Sequence, residues 1–311
     1  MSRIFRKLSL VVVLATFPLA GCLFHTRKVE RPFQMSALKN ATKPELVAYI
    51  NAQAAKIQTM QATVDIATAV GGEKKGKVTE YQEIRGYVLA RKPAMLRMIG
   101  LFPIVRNRAF DMVSDGQQFK VWIPTKNRFV VGNNNVSTPN PQQPLENLRP
   151  QTIYDALLLR TIDPAQHETA VLEDSTETIT PEKGQKYEQP DYVIDVIRVQ
   201  NDEAWLARKI VFSRTDLLPN RQLIYDQSGT LVTDARYSKY QDYNAVLFPS
   251  KIEIRRPEEE YNITLNIVKM DMNQPLTNDK FVLEQPPGAQ VIRLGAQPAT
   301  NASGSNGGGG Q

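Results

Sequence analysis

The 311-residue sequence contains few of the residues that build disulfides, metal centres and active sites. It has one cysteine, Cys22, and two histidines, His25 and His167. A single thiol excludes an intramolecular disulfide framework, and neither histidine belongs to a metal-ligand spacing. The sequence also lacks a Gly-x-Ser-x-Gly turn and a phosphate-binding glycine loop. No motif therefore indicates an enzyme, and neither a metal nor a cofactor is expected.

Long apolar runs are scarce as well, and the longest lies at the N-terminus. Arg3, Arg6 and Lys7 precede an apolar run of about 13 residues, from Leu8 to Ala20. A helix needs about 20 residues to span the hydrocarbon core of a bilayer, so this run is too short. A basic start followed by an apolar stretch of this length is typical of a secretory signal peptide.

The run ends in Leu19-Ala20-Gly21-Cys22, which resembles the lipobox of bacterial lipoproteins at all four positions. The resemblance implies cleavage after Gly21 and an N-acyl diacylglycerol group on Cys22. More than one acyl chain makes membrane anchoring stable. Leu23 replaces the aspartate that retains enteric lipoproteins in the inner membrane, so the periplasmic face of the outer membrane is expected. The alternative is an uncleaved anchor with a chance cysteine.

The net charge gives little information about partners. The formal charge of the whole chain is +6, and three of those charges precede the expected cleavage site. The remaining charge is small for a nucleic-acid-binding protein, and an exported protein would rarely meet nucleic acid. No nucleic-acid partner is therefore expected.

The rest of the chain shows two periodicities. A capping-box sequence, Thr42 to Glu45, precedes helically spaced apolar residues and predicts a helix from about Lys43 to Met60. A second helix is predicted from Pro150 to Leu159. Period-two alternation elsewhere predicts about ten or eleven antiparallel strands. Of two polar stretches, Gly132–Pro144 is predicted to be a long loop, and Glu173–Pro190 is predicted to be another loop or the end of a hairpin.

This pattern suggests four parts of the chain. Residues 1–21 are expected to be a lipoprotein signal peptide, and residues 22–41 a lipidated tether. Residues 42–295 are expected to form one domain. Residues 296–311 are rich in glycine, serine and asparagine and are expected to be disordered.

Five short motifs follow one another in a particular order. They are Gly86-Tyr-Val-Leu-Ala-Arg-Lys-Pro93, Val113-Ser-Asp-Gly116, Val121-Trp-Ile-Pro124, Phe248-Pro-Ser-Lys-Ile252 and Phe281-Val-Leu-Glu-Gln-Pro-Pro-Gly288. Their order resembles the LolA/LolB superfamily of lipoprotein carriers and outer-membrane lipoprotein receptors over about residues 42–295. The resemblance implies a mainly β fold with some α structure. In it a strongly curved, unclosed antiparallel half-barrel is covered by helices and encloses an apolar cavity for acyl chains.

Two groups of residues acquire expected roles from this resemblance. Eight inward-facing strand positions are expected to line the cavity: Val64, Ile66, Leu96, Met98, Phe119, Val121, Ile194 and Val196. Strand alternation does not distinguish a cavity wall from an ordinary packed core. Leu101, Phe102, Pro103 and Ile104 are expected to form an apolar loop that enters the membrane, as in the anchored receptors. The alternative is a strand end folded onto the core.

Two functional hypotheses follow. In the first, an outer-membrane-anchored lipoprotein binds lipid or lipoprotein acyl chains and takes part in lipoprotein sorting or insertion. Its partners would be the membrane, other lipoproteins or phospholipid. In the second, the chain is a non-catalytic scaffold or envelope-stress sensor that shares the fold. A connected apolar cavity would favour the first hypothesis, a collapsed core the second, and a buried cluster of hydrogen-bonded polar residues an enzyme.

Overall fold

The computed structural model describes residues 37–134, 149–180 and 186–294. The expected signal peptide, the lipidation site at Cys22, most of the tether and the glycine-rich tail lie outside these residues. The described residues divide into two compact units: those from 37 to 177 together with those from 189 to 294, and residues 178–180 with 186–188. In the second unit the described residues are the end of one strand and the start of the next. The features below belong to the first unit, apart from residues 178, 179, 187 and 188 of those two strands.

A single sheet of 14 strands forms this unit. The strands are β1 (Thr59–Gly72), β2 (Lys77–Arg91), β3 (Met95–Leu101), β4 (Arg108–Ser114), β5 (Gln118–Ile123), β6 (Arg128–Asn133), β7 (Glu168–Ile179), β8 (Tyr187–Gln200), β9 (Glu203–Ser213), β10 (Pro219–Tyr225), β11 (Leu231–Tyr243), β12 (Val246–Arg256), β13 (Tyr261–Met272) and β14 (Gln290–Leu294). Their order is β14-β6-β5-β4-β3-β2-β1-β13-β12-β11-β10-β9-β8-β7. Since β14 and β7 are the two edges, the sheet is unclosed.

From β6 through β1 and β13 to β8, neighbouring strands pair antiparallel, whereas β14 runs parallel to β6. The register of β1 shifts between Thr63 and Val64 against β13, and between Ile66 and Thr68 against β2. Such bulges increase the local twist of a strand and contribute to the curvature of the sheet. The mainly β, unclosed curved sheet predicted from the sequence is confirmed.

One face of the sheet, termed here the inner face, is defined by the buried residues of β1. Met60, Ala62, Val64 and Ile66 are buried, whereas the residues between them are half-buried. This alternation follows from the period of two in a β-strand. Buried residues of β2, β3, β5, β12 and β13 extend the same apolar cluster.

Two helices, α1 (Lys43–Lys56) and α2 (Pro150–Leu157), pack on the sheet through different clusters. Ile153 and Leu157 of α2 belong to the cluster that contains Val64. Leu46 and Ile50 of α1 belong to a second cluster with residues of β8 and β9. In the described part of the chain, no helix has the length and apolarity needed to cross a membrane.

The C-terminal segment covers part of the opposite, outer face. Leu283 and Ala289 pack against Val113 of β4 and Phe129 of β6. The segment then enters the sheet as β14. The two edge strands of the sheet, β14 and β7, are not among the strands that the sequence pattern predicted.

Three sequence predictions are corrected by the structure. The sheet has 14 strands and not ten or eleven. At Glu173–Pro190 the loop is wrong and the hairpin end is confirmed, because β7 continues to Ile179, β8 begins at Tyr187 and the two strands are neighbours in the sheet. Helix α1 ends at Lys56 and not at Met60, because Ile57 has extended backbone angles and Met60 belongs to β1. Most of Gly132–Pro144 lies outside the described residues.

Candidate functional site

The eight residues predicted to face inward are all buried, with exposed fractions of 0 to 2%. Six of them lie in the larger core cluster, and Ile194 and Val196 lie in the cluster beneath α1. The structure therefore brings them together as two packed groups. None of the eight lines the small apolar cavity that the domain contains beside α1.

That cavity lies beside α1 and contains a free volume of about 40 Å³. Its lining residues come from α1, from the chain around and after the end of α2, and from β10, β11 and β12, together with Ile57 and Lys92. They are Tyr49, Gln53, Ala54, Ile57, Lys92, Ala156, Leu157, Leu158, Leu159, Pro219, Tyr237, Tyr240, Leu247, Phe248 and Pro249. Ligand sites for small molecules are typically about 300–1,000 Å³, so this cavity is closed to a lipid chain as it stands.

Two of the three tyrosines that line the cavity donate their hydroxyl protons to backbone carbonyls. Tyr237 donates to the carbonyl oxygen of Ala156 at 2.9 Å, and Tyr240 donates to that of Pro219 at 2.7 Å. Burial raises the pKa of both phenols, so the neutral form is strongly favoured. With these hydroxyls engaged, the surface that remains for a ligand is mainly apolar.

Lys92 links the turn between β2 and β3 to α1. Its Nζ donates to the carbonyl oxygen of Ala54, in the last turn of the helix. The last carbonyls of a helix have no partner within the helix, and a cation there interacts favourably with the helix dipole. Burial lowers the pKa of Lys92. The contact therefore holds the C-terminal end of α1 at the cost of partly desolvating an ammonium group.

Two asparagines hold α1 to the rest of the domain. Asn51 donates to the carbonyl oxygen of Ile162 at 3.2 Å and accepts from its amide at 2.8 Å. Asn273 donates to the carbonyl oxygen of Lys56 at 2.8 Å and accepts from the amide of Gln58 at 2.8 Å. Polar contacts thus fix α1 at its middle and at its end.

The four predicted loop residues lie at the connection between β3 and β4. Leu101, Phe102 and Pro103 are half-buried, whereas Ile104 is 99% exposed. The amide of Phe102 donates to the carbonyl oxygen of Asn107 at 2.9 Å and closes the loop. Ile104 has a φ of +69°, which is strained for a β-branched residue. The loop therefore presents an apolar side chain to solvent in an unfavourable backbone conformation.

A buried ionic cluster was missed by the sequence interpretation. Arg208 is 1% exposed and donates to Glu168 at 3.1 Å and to the carbonyl oxygens of Arg160 and Thr161, both at 3.1 Å. Glu168 also pairs with Arg198. Arg208 lies two residues before Ile210 in β9, so both side chains lie on the same, buried face of the strand. A charged residue at a buried strand position could have indicated the cluster. This is a buried cluster of the kind that would favour an enzyme, but its groups bond one another and the backbone, so the cluster is explained by securing the chain after α2.

No metal centre is evident in the described ranges, since no three histidine, cysteine or carboxylate side chains converge there. A family model described as an uncharacterized protein matches residues 165–285, less than half of the chain. A search of curated proteins gives no significant match.

Solved structures provide likenesses of fold at low sequence identity. A LolA superfamily protein from Nitrosomonas europaea is 15% identical, with a TM-score of 0.46, and the alignment covers 76% of this chain and 97% of that one. A DUF1329 family protein from Desulfovibrio piger is 13% identical, with a TM-score of 0.46 and coverages of 76% and 94%. A putative outer membrane lipoprotein-sorting protein domain from Vibrio parahaemolyticus is 12% identical, with a TM-score of 0.45 and the same coverages. These values do not assign the chain to a family.

Proposed function

We propose that this chain is a lipid-anchored protein of the bacterial cell envelope that binds the acyl chains of a lipid or lipoprotein. The binding site would be the apolar space between α1 and the sheet. The observation that carries the proposal is an apolar cavity lined in part by a helix that is held by separate polar contacts. Such a cavity can enlarge if the helix moves while the sheet stays folded.

The energetics favour exchange of α1 for an acyl chain. The buried residues of α1 are Leu46, Ile50 and Ala54. Burying a leucine or isoleucine contributes about 1.5–3 kcal/mol each, so displacing the helix would expose a modest apolar area. An acyl chain contributes about 0.8 kcal/mol per buried CH₂, or about 10 kcal/mol for a dozen such groups. A ligand taken from water would therefore offset the loss of the apolar contacts made by α1.

The anchor and the β3–β4 loop would place the cavity at a membrane. In this proposal Cys22 carries the N-acyl diacylglycerol group and the protein faces the periplasm from the outer membrane. Ile104 and its exposed neighbour Val105 would enter the bilayer during delivery of the ligand. Exposed apolar residues at a loop tip gain free energy when they enter the hydrocarbon. Delivery would then require no covalent chemistry.

The cavity can be tested with the full chain purified in detergent from a bacterial envelope. The probe is a fluorescent peptide that begins with an N-acyl diacylglyceryl cysteine. Leu247→Gln places a polar group in the cavity wall and should weaken binding roughly tenfold. Val171→Gln makes a comparable change at an exposed position of β7 outside the cavity and should leave binding unchanged. Equal binding by both variants, with unchanged thermal unfolding, would place the site elsewhere.

The small free volume also favours a second candidate function. A cavity of about 40 Å³ is expected for a scaffold or envelope-stress sensor that uses the sheet as a rigid body. In that case the full chain would bind no acylated peptide at any accessible concentration, although it stayed folded. The binding experiment therefore decides between the two functions.

The anchor requires a separate experiment. Metabolic labelling with radioactive palmitate should label the full chain but not its Cys22→Ser variant. Label on both proteins would show that the lipid is attached at another residue. Absence of label on both would contradict the proposed anchor while leaving the cavity proposal intact.

A further inference from the structure

The part of the chain that contains the β3–β4 loop has an unusual distribution of charge. No acidic residue occurs between Glu83 and Asp111, whereas this interval contains six basic residues: Arg85, Arg91, Lys92, Arg97, Arg106 and Arg108. Arg91 and Lys92 lie at the opposite end of the β2–β3 hairpin from the loop. Arg106 and Arg108 lie immediately beside the exposed apolar residues.

The ion pairs near the loop leave positive charge uncompensated. Arg97 and Arg108 both bond Asp111, at 2.8 and 3.1 Å, and this carboxylate is fully buried. One carboxylate thus serves two guanidinium groups, and the side chain of Arg108 is 52% exposed. Arg106 is exposed and has a φ of +53°, and within the described residues it forms no ion pair. Two arginines beside the loop therefore carry charge that faces solvent.

Fewer acidic residues than basic residues lie near the β3–β4 loop. Asp65 is paired with Arg85, with Nε and Oδ1 2.5 Å apart. Glu83 is exposed and lines the same surface cleft as Arg106 and Phe102. Glu83 reduces the positive potential but does not cancel that of both Arg106 and Arg108. The balance next to the apolar tip remains positive.

We propose that the β3–β4 loop selects membranes whose lipids have anionic phosphodiester headgroups. Ile104 and Val105 would enter the hydrocarbon while Arg106 and Arg108 contact the headgroup phosphates. Arginine suits this position because its guanidinium binds phosphate oxygens in pairs while its methylene stem lies along apolar surface. The inference rests on the proposed membrane contact of this loop and adds the class of lipid that it recognises.

The experiment uses the acylated full chain with Val105→Cys, whose thiol carries an environment-sensitive fluorophore. The native cysteine is acylated in the proposed function, so the new thiol is the one that reacts. The protein is reconstituted into vesicles of phosphatidylcholine, alone or with about a third phosphatidylglycerol. The emission should shift to the blue mainly in the anionic vesicles, and added salt should reverse the shift by screening the arginines.

Charge variants of opposite sign provide the matched test. Arg106→Gln should lower the ratio of inserted to free loop about fivefold in anionic vesicles, and Glu83→Gln should raise it. Lys239→Gln changes the net charge as much as Arg106→Gln does, but on β11, which β2, β1, β13 and β12 separate from β3. This control should have no effect.

The outcomes separate the inference from the proposed function. Equal insertion into both kinds of vesicle, unaffected by Arg106→Gln, would overturn lipid selection and leave the membrane contact standing. No blue shift in either vesicle, with the protein shown by flotation to be anchored, would overturn the membrane contact and the selection together. A shift confined to anionic vesicles that Arg106→Gln does not reduce would overturn the role of the arginine.

Discussion

At the scale of single residues, Asp155 of α2 occupies an unfavourable position for a carboxylate. It lies near the C-terminal end of the helix, where the dipole disfavours negative charge. Its side chain is 16% exposed, and its contact with the half-exposed Arg160 is long at 3.8 Å. Gln151 donates one hydrogen bond to it at 3.1 Å. Burial, the largest influence, raises the pKa of Asp155.

Asp155→Asn is therefore expected to raise the free energy of unfolding at pH 7. A carboxyl group whose pKa is higher in the folded state contributes most to the free energy of unfolding at pH values below its unfolded pKa. That contribution is lost as the pH rises through the folded pKa. The advantage of the asparagine variant should accordingly vanish as pH falls toward about 4. Urea unfolding of both proteins over a pH series measures this difference. A gain that is the same at every pH would contradict the reason given.

Residue-level prediction from the sequence succeeded where strand periodicity applied. The alternation of β1, β3, β5 and β8 identified eight buried side chains correctly. It did not identify the lining of the cavity, because those residues come from α1, from the chain around the end of α2 and from β10 to β12, which only tertiary packing brings together. Arg208 was also missed, because its partners are backbone carbonyls and a glutamate 40 residues away. Long-range polar pairing leaves no local pattern in a sequence.

At the scale of elements, the β3–β4 loop combines strain with exposure. Ile104 has an exposed side chain and therefore contributes little packing, but its positive φ costs about 1–3 kcal/mol. Glycine adopts this conformation freely, although its flexible unfolded state costs about 0.5–1 kcal/mol. A net stabilisation should result from replacement by glycine.

Ile104→Gly is expected to raise the free energy of unfolding by about 1 kcal/mol and to weaken insertion of the loop into membranes. Val105→Gly is the matched control, since Val105 is also exposed but has no positive φ. That variant should lower stability slightly. Denaturant unfolding of the two variants checks both expectations, and equal destabilisation by both would show that Ile104 is not strained.

Helix α1 is the second element for which contacts predict behaviour. Lys92→Ala removes a hydrogen bond from a charged donor, of the kind that contributes about 1.5–3 kcal/mol, and leaves the carbonyl oxygen of Ala54 without that partner. Amide hydrogens of α1 should then exchange at least tenfold faster, while those of β1 and β13 change less. Lys239→Ala should leave all of these rates unchanged. Uniformly faster exchange throughout the sheet would indicate a global loss of stability.

At the scale of the whole molecule, the fold class was predictable but the number of strands was not. The motif order and the period-two alternation indicated an unclosed antiparallel sheet. Residues 173–179 of β7 were predicted as a loop or a hairpin end because their threonines, serine and acidic residues lack an apolar alternation, as an edge strand permits. β14 was missed because its partner β6 lies about 160 residues earlier in the chain. Parallel pairing of that kind has no local signal.

The C-terminal segment should therefore be essential to the whole sheet. A chain ending after Asn273 loses the buried side chains of Phe281 and Leu283 and the strand β14. Each large apolar side chain contributes about 1.5–3 kcal/mol, so the loss should exceed about 3 kcal/mol. A chain ending after Leu294 retains these contacts and should unfold at the same temperature as the full chain. Calorimetry of the two truncated chains makes the comparison, and equal melting temperatures would contradict it.

The separation of α1 and α2 into different clusters has a consequence for affinity. Because Leu46 and Ile50 of α1 pack with β8 and β9, and the helix meets the larger cluster across the cavity, its detachment would be a local equilibrium distinct from global unfolding. For a ligand that requires the detached form, the apparent dissociation constant equals the intrinsic dissociation constant divided by the fraction of molecules in that form. If about one molecule in a hundred is open, the apparent affinity is about a hundredfold weaker than the intrinsic affinity. The stability of one short helix would thus set the ligand concentration at which the protein begins to fill.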